Sequence, residues 1–238
     1  FHDVLHSSPV TVTYGQDGSD DFIDKILVGT NEGGLHFING ATGEEEWVFM
    51  PNSVLANQQS LFDDTGVDHI YGLDSTAVVI VDDANLDGTI DPATDFVGAV
   101  ITQRRGGENL YALDLTPAAT LTDNTDTVTP KFLWHISPST SGFSRLGQTW
   151  SEPQLVHLDA VGGPVTALIF GGGYDTDLDE DDGSGDSRNF GVEGGDPNAG
   201  NAIYVVDAQT GALIFSVSGS ASGANIEVPE MKYAIPSN

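Results

Sequence analysis

The sequence predicts an all-β protein made of four-stranded antiparallel units, on three observations. Glycine is abundant (29 of 238 residues) and punctuates many short apolar runs, while hydrophobic residues make up 39% of the chain, a profile of numerous strands joined by turns. A strand, an Asp- or Asn-led turn and a second strand bearing an aromatic residue recur three times. Two further β-rich runs precede each recurrence, giving four strands per unit, the pattern of propeller blades. The expected architecture is therefore a partial β-propeller: about three four-stranded antiparallel blades with long inter-strand insertions, forming one domain over 1–238.

Blade 1, about 5–50, takes its outer runs from Pro9–Tyr14 and Lys25–Gly29. Its hairpin is Leu35-His36-Phe37-Ile38-Asn39, then Ala41-Thr42-Gly43, then Trp47-Val48-Phe49. Glycine after threonine suits a tight turn, because it takes φ > 0 without steric cost. Residues Pro51 to Asp68 link to the next blade, with a helical turn expected around Val54 to Leu61. Blade 2, about 68–137, starts with the β-rich run Leu73 to Val81, resumes at Phe96–Ile101, and has its hairpin at Leu110–Asp114 and Phe132–Ile136. Between the hairpin strands, Ala118 to Pro130 is rich in Thr and Asp and is expected to be a solvated loop. Blade 3, about 150–218, comprises Gln154–Leu158, Val165–Phe170, Ile203–Asp207 and Leu213–Phe215, with Ala208-Gln209-Thr210-Gly211 as its turn. Tyr233-Ala234-Ile235-Pro236 reads as the start of a further blade at 229–238. The hairpin anchors Leu35, Leu110 and Ile203 lie 75 and then 93 residues apart, wider than ordinary blades of about 40 to 50 residues because of the insertions.

The connection between the first two strands of blade 2 carries the chemistry. In Asp83-Ala84-Asn85-Leu86-Asp87-Gly88-Thr89-Ile90-Asp91, side-chain oxygens recur at every second position. Asp83, Asn85, Asp87 and Asp91 supply them, and Thr89 offers its backbone carbonyl. A hard cation such as Ca²⁺ takes about six to eight oxygens from a tightly curled loop, and Gly88 stands at the sixth position, where the turn is sharpest. Asp, Asn and Gly also populate ordinary turns, but four in-phase oxygens with that glycine form a more specific pattern. The predicted metal ligands are Asp83, Asn85, Asp87, Thr89 and Asp91. Thr94 stands where an EF-hand places its bidentate Glu, so Asp95 or Asp91 must close the shell. With strands on both sides, the loop is expected to be a calcium staple on a sheet and not a helix-opening sensor.

Charge narrows the partners. Thirty-six acidic residues against seven basic ones give a net charge of −29, which repels a phosphate backbone, so nucleic acid is not an expected partner. Such a surface suits a protein bathed in salt and divalent cations. There are no cysteines, so disulfides and thiolate chemistry are absent. No apolar run reaches the roughly 18 residues of a membrane span. Phe1-His2-Asp3-Val4-Leu5 lacks the basic region and apolar core of a signal peptide, and the chain is expected to be a piece or a processed product of a longer one.

Other candidates read as structural. The acidic run from Asp175 to Asp186 alternates at Asp177, Asp179 and Asp181 like a second cation site, but Asp182 sits where glycine is wanted, and the run is expected to be a solvated loop. Arg104-Arg105, the only basic pair, is expected to form internal salt bridges. Trp47, Trp134 and Trp150 are expected to pack between blades. His2, His6, His36, His69, His135 and His157 show no zinc-helix spacing, and there is no Gly-x-Ser-x-Gly elbow.

Several ordered segments resemble a known family. They are His6-Ser7-Ser8-Pro9; Val28-Gly29-Thr30-Asn31-Glu32-Gly33-Gly34-Leu35-His36 leading into Thr42-Gly43-Glu44-Glu45-Glu46-Trp47; Arg104-Arg105-Gly106-Gly107 before Tyr111-Ala112-Leu113-Asp114; Leu146-Gly147-Gln148-Thr149-Trp150-Ser151-Glu152-Pro153; Gly171-Gly172-Gly173-Tyr174-Asp175; and Gly200-Asn201-Ala202-Ile203-Tyr204-Val205-Val206-Asp207. Together they resemble the C-terminal propeller domain of PilY-type type IV pilus proteins, across nearly the whole chain. The resemblance implies an extracellular protein of a Gram-negative bacterium, at the pilus tip on the cell surface, with minor pilins as partners and a host or abiotic surface as a further contact. It implies support of pilus assembly, opposition to retraction, and adhesion, with a calcium loop gating this behaviour at 83–91. The Thr-Gly turn of blade 3 also resembles quinoprotein dehydrogenase blades, but here the calcium ligands cluster in one local loop and basic residues are scarce (seven Lys and Arg), and no catalysis is predicted. A purely structural extracellular repeat module stabilised by calcium is the remaining alternative.

Overall fold

The computed structural model describes residues 3–63, 69–160, 163–176, 199–219, 225–231 and 234–236. The fold is all-β with antiparallel four-stranded sheets, as expected. The first sheet is a meander in the order β1-β2-β3-β4, from Val10–Gln16, Phe22–Gly29, Leu35–Asn39 and Glu45–Phe49. The second, β5-β6-β7-β8, comprises Val78–Asp82, Phe96–Thr102, Leu110–Asp114 and Lys131–Ile136. The third contains β9 (Gln154–Ala160), β10 (Gly163–Gly172), β11 (Gly200–Asp207) and β12 (Leu213–Ser218) in meander order, with a two-residue strand β13 (Ile226–Glu227) added in parallel to β12. That fifth strand, unforeseen in the sequence, pairs with Val217 and Ser218 and so covers the end of a β12 edge that a four-stranded blade would leave with unpaired backbone groups.

The chain divides into two compact units, Phe1–Ile101 with Tyr111–Trp134, and Thr102–Leu110 with His135–Asn238. In the first unit, period-2 alternation sets the buried face. On β2, Ile23, Lys25 and Leu27 point inward, as residues two apart on a strand must. Val12, Tyr14, Leu35, Phe37, Val97, Ala99, Ile101 and Leu113 join Ile23 and Leu27 in one apolar core. The Tyr14 hydroxyl donates to the carbonyl of Leu115 (2.9 Å), and burial pushes its phenol well above the ordinary value.

The hairpin turns match the sequence reading. Asn39 Oδ1 accepts the N–H groups of Ala41 and Thr42, the Gly43 N–H donates to the Asn39 carbonyl (2.8 Å), and Gly43 has φ 73°. Asp207 repeats this with Gln209, Thr210 and Gly211, the glycine at φ 69°. An acceptor side chain at the strand end and a left-handed glycine close both turns.

Three expectations need correction. The β-rich run from Leu73 enters the sheet only at Val78, because the Leu73 N–H donates to the Thr30 carbonyl and its side chain is buried. The helical turn after Pro51 is two short helices, α1 (Asn52–Leu55) and α2 (Gln58–Asp63). The third correction concerns 118–130. This connection is an irregular loop exposed over most of its length, but it is not only solvated: it lies as a strap over the first sheet, with Leu121 and Val128 in the core at 6% and 1% exposure. It is fastened by Lys25, which is fully buried and ion-paired to Glu46. The Lys25 ammonium also donates to the carbonyls of Asp126 (2.8 Å) and Asn124 (3.4 Å), the Asn39 amide donates to Asn124, and the Trp47 indole N–H donates to Val128 (2.8 Å). Trp47 also stacks on Phe37, ring centroids 4.6 Å apart.

In the second unit, the described part of the 229–238 segment reaches the ends of β10 and β11. The Gly173 N–H donates to the Ile235 carbonyl (3.0 Å), and the Ile235 N–H to the Gly200 carbonyl (2.9 Å). Arg104 and Arg105 both lie over the Trp150 ring, 4.8 and 4.9 Å from its centroid, and Tyr174 packs beside it at 5.0 Å. Asp175 is buried and accepts the Ala199 N–H (3.2 Å). Residues 177–186, including Asp177, Asp179, Asp181, Asp182 and Asp186, lie outside the described residues.

Candidate metal centre

Residues 83–91 lie in the 83–95 connection from β5 to β6, so the candidate loop sits on a β-hairpin with no helix on either side. Its conformation is built on its own side chains. The Asp83 carboxylate accepts the N–H of Leu86 on Oδ1 (2.7 Å) and of Gly88 on Oδ2 (2.8 Å). Asn85 Oδ1 accepts the Asp87 N–H (3.1 Å), Asp87 Oδ1 accepts the Thr89 N–H (2.8 Å), and the Asn85 amide donates to Asp87 Oδ2 (2.9 Å). Each oxygen of the every-second-residue series thereby collects a main-chain N–H further along, which is how short Asx side chains curl a chain.

Two residues carry the sharp turn. Gly88 has φ 79° and open space where a Cβ would stand, so its cost of substitution is conformational alone. Leu86 has φ 58° and is 87% exposed. A bulky residue in this left-handed region is strained, and the two-pronged hold of Asp83 on Leu86 and Gly88 keeps it there.

The loop is anchored at both ends. The Ile90 N–H donates to the Tyr14 carbonyl on β1 (3.0 Å), and the Ile90 side chain enters the core at 2% exposure. Asp95 braces the whole loop: one carboxylate oxygen accepts the Ala84 N–H (3.1 Å), the other the Asp91 N–H (2.8 Å), and the Thr94 hydroxyl donates to the first (2.9 Å). The Asp91 and Ala84 N–H groups, in that order, hold the Asp95 carboxyl below the ordinary carboxylate value. Asp91 turns its own carboxylate to the Ala93 N–H (2.9 Å).

Asp83, Asn85, Asp87 and Thr89 are thus brought into one curl, Asp91 stands at its exit, and Asp95 is taken up as a brace. Among the described residues, no group of three or more His, Asp or Glu side chains converges in a way that could hold a metal ion. The donor set is nonetheless all oxygen, and the position-six glycine adopts the conformation that a cation loop asks of it, so the residue types fit a hard cation. Sequence reasoning missed Ile90 as an anchor. Its signal was an apolar β-branched residue inside a run of ligand-type side chains.

The histidines are spread over separate contacts. His6 meets Asp74 (2.7 Å), His69 meets Asp3 (3.1 Å), and His135 meets Asn109 (2.7 Å). Buried His36 touches Glu45 with Nδ1 (2.6 Å) and Glu32 with Nε2 (3.0 Å).

No family model matches the chain. A curated relative is the type IV pilus biogenesis factor PilY1 of Pseudomonas aeruginosa (strain UCBPP-PA14), 34% identical over 202 residues, 75% of this chain. The chain spans about 15% of that protein's length. Among solved structures, the crystal structure of the Pseudomonas aeruginosa PilY1 C-terminal domain is similar with a TM-score of 0.49 and 22% sequence identity, over 84% of this chain and 30% of that one.

Proposed function

Since the chain belongs to the PilY-type proteins, we propose that it is a calcium-binding segment of a type IV pilus-associated surface protein. In this reading it works at the pilus tip on the outside of a Gram-negative cell, meets minor pilins, and supports pilus extension and surface adhesion. It does so by binding rather than by catalysis. The pilus assignment rests on the sequence relationship. The observation behind the calcium assignment is the curl at 83–91, in which Asp83 gathers the N–H groups of Leu86 and Gly88 while Gly88 takes φ 79°.

The ligands are Asp83, Asn85 and Asp87 through side chains, Thr89 through its carbonyl, and Asp91. Asn85 now donates to Asp87 Oδ2; cation binding exchanges that contact for ligation. The ion supplies a divalent positive charge to a strongly acidic chain (net charge −29). Ile90 and Asp95 hold the loop's exit to the sheet, so binding stiffens a hairpin instead of opening helices.

A ligand that binds the folded loop and not the unfolded chain stabilises by RT ln(1 + [L]/Kd), about 2.7 kcal/mol at a hundredfold excess over Kd. Calorimetric melting with Ca²⁺ and with chelator tests this. The expected result is a calcium-dependent rise in Tm that Asp87→Ala removes. An unchanged Tm, or an Asp87→Ala chain that binds calcium normally, overturns the site. Labelling of pili with an antibody to the chain tests the location, and label absent from pilus tips overturns it.

A further inference from the structure

A cavity of about 400 Å³ opens in the first unit beside the short helices, lined by Glu32, Gln58, Gln59, Leu61 and Phe62. Its charged wall is Glu32, whose side chain is 22% exposed. That carboxylate is held from behind. Buried His36 contacts it through Nε2 (3.0 Å), and His36 Nδ1 is taken by Glu45 (2.6 Å). The Thr30 hydroxyl lies 3.3 Å from the same Nε2. Two carboxylates thus share a single imidazole. Gln58 fastens α2 at the cavity by donating to the Glu32 carbonyl (2.7 Å).

The lining also includes the apolar Leu61 and Phe62. Phe62 is 86% exposed, a phenyl ring on a helix of which no residue is buried. The carboxylate and the net charge of −29 disfavour an anion. Both His36 nitrogens are engaged, and among the described residues no metal-holding group forms, so a metal ion is a poor match. Glu32, Gln58 and Gln59 make the wall too polar for a hydrocarbon. A preorganised carboxylate in one cavity with an aliphatic and an aromatic side chain is the chemistry that recognises an ammonium on a short alkyl chain, by charge-assisted hydrogen bonding and by attraction to the ring face.

We propose that this cavity binds an alkylammonium group, with Glu32 as its counter-ion, His36 as the positioning residue behind it, and Phe62 as the face against its methylenes and charge. A lysine side chain of a protein and a free diamine share this chemistry. The acidic surface raises the local concentration of either.

The test is a titration of the isotopically labelled 238-residue chain with Nα-acetyl-lysine methylamide, with putrescine, and with the uncharged isostere Nα-acetyl-norleucine methylamide, read at the amides of 32–36 and 58–62. Saturable shifts with the cationic ligands and none with norleucine are expected. Tighter binding of the lysine derivative assigns the cavity to a protein lysine, and tighter binding of putrescine to a free polyamine. Glu32→Gln keeps the side-chain shape and is expected to weaken binding about tenfold or more, the scale of one charge-assisted hydrogen bond. Phe62→Ala, at a surface position that folding does not need, is expected to weaken it about threefold. Equal shifts with norleucine, or undiminished binding by Glu32→Gln, overturn the proposal.

Discussion

Two connections in the second sheet, the loop at 83–91 and the strap at 118–130, are written in the same alphabet and dock to different extents. Both are runs of Asp, Asn and Thr whose side chains collect nearby N–H groups. Asp83 takes Leu86 and Gly88; Asp123 takes the N–H and hydroxyl of Thr125, and Asp126 those of Thr122. In the strap these hydrogen bonds from threonine hold both carboxyls below the ordinary value. The difference lies in the apolar residues between them. The loop turns Leu86 out into solvent and docks only at its exit, through Ile90, whereas the strap turns Leu121 and Val128 into the core along its length. Local polar chemistry therefore shapes a turn, while one or two apolar side chains and the surface waiting for them decide whether it docks.

The largest effect that separates the two is expected at Lys25. Lys25→Met leaves Glu46 buried without its cation, and breaking such a pair costs about 3–5 kcal/mol. Urea unfolding measures it, and Lys25→Met with Glu46→Leu should recover much of the loss, because an apolar pair of similar volume removes the stranded charge. A loss no greater than that of a surface substitution would mean that the strap is not clasped. Next comes Leu121→Ala, expected to cost about 2–5 kcal/mol as a core truncation. Leu86→Ala, the counterpart in the exposed loop, should stay within about 0.5 kcal/mol. Equal losses at the two leucines would erase the distinction.

This contrast also explains what the sequence disclosed. Meander order, the Thr-Gly hairpins at Gly43 and Gly211, helical character after Pro51 (though not its division into two helices) and the hairpin setting of the 83–91 loop were all legible, because each follows from residues a few positions apart. The strap was not, because its partners lie about a hundred residues away: Asn124 and Asp126 meet Lys25 across the fold. A signal was present nonetheless. Lys25 falls between Ile23 and Leu27 on the inward face of β2, and a lysine at an inward position of a strand needs a buried acceptor. In the candidate site, the oxygens were legible from their two-residue rhythm. The bracing role of Asp95 was not, since spacing alone does not tell a ligand from a carboxylate saturated by main-chain donors. The cavity at Glu32 and Phe62 left no mark in local pattern, because its walls come from two segments about 30 residues apart.

A smaller effect is expected in the loop itself. Gly88→Ala meets no atom within 4 Å, so its penalty is the left-handed backbone alone, about 1–2 kcal/mol. Urea unfolding in chelator measures that part. In calcium the variant should lose more, because strain in the empty loop adds to weakened binding. A penalty identical with and without calcium would separate Gly88 from the cation and leave it as a turn residue only.

The smallest and most diagnostic effect is at Asp95. Its carboxyl is held below the ordinary value by the N–H groups of Asp91 and Ala84 and by the Thr94 hydroxyl. A carboxyl whose pKa is lower folded than unfolded contributes stability that is complete above the unfolded value, about 3.9, and is lost as the pH falls through the folded value. Asp95→Asn keeps the size but accepts on one atom only, so it should melt below the unsubstituted chain at pH 7, with the gap shrinking as the pH drops below about 4. Calcium should be excluded from this experiment by chelator, since protons compete with a cation for carboxylate ligands and ligation would superimpose its own pH dependence. A gap that holds constant into acid would show that Asp95 acts through shape and not through charge. The brace would then be a packing feature of the β5–β6 turn, with no electrostatic part in holding the loop ready for a cation.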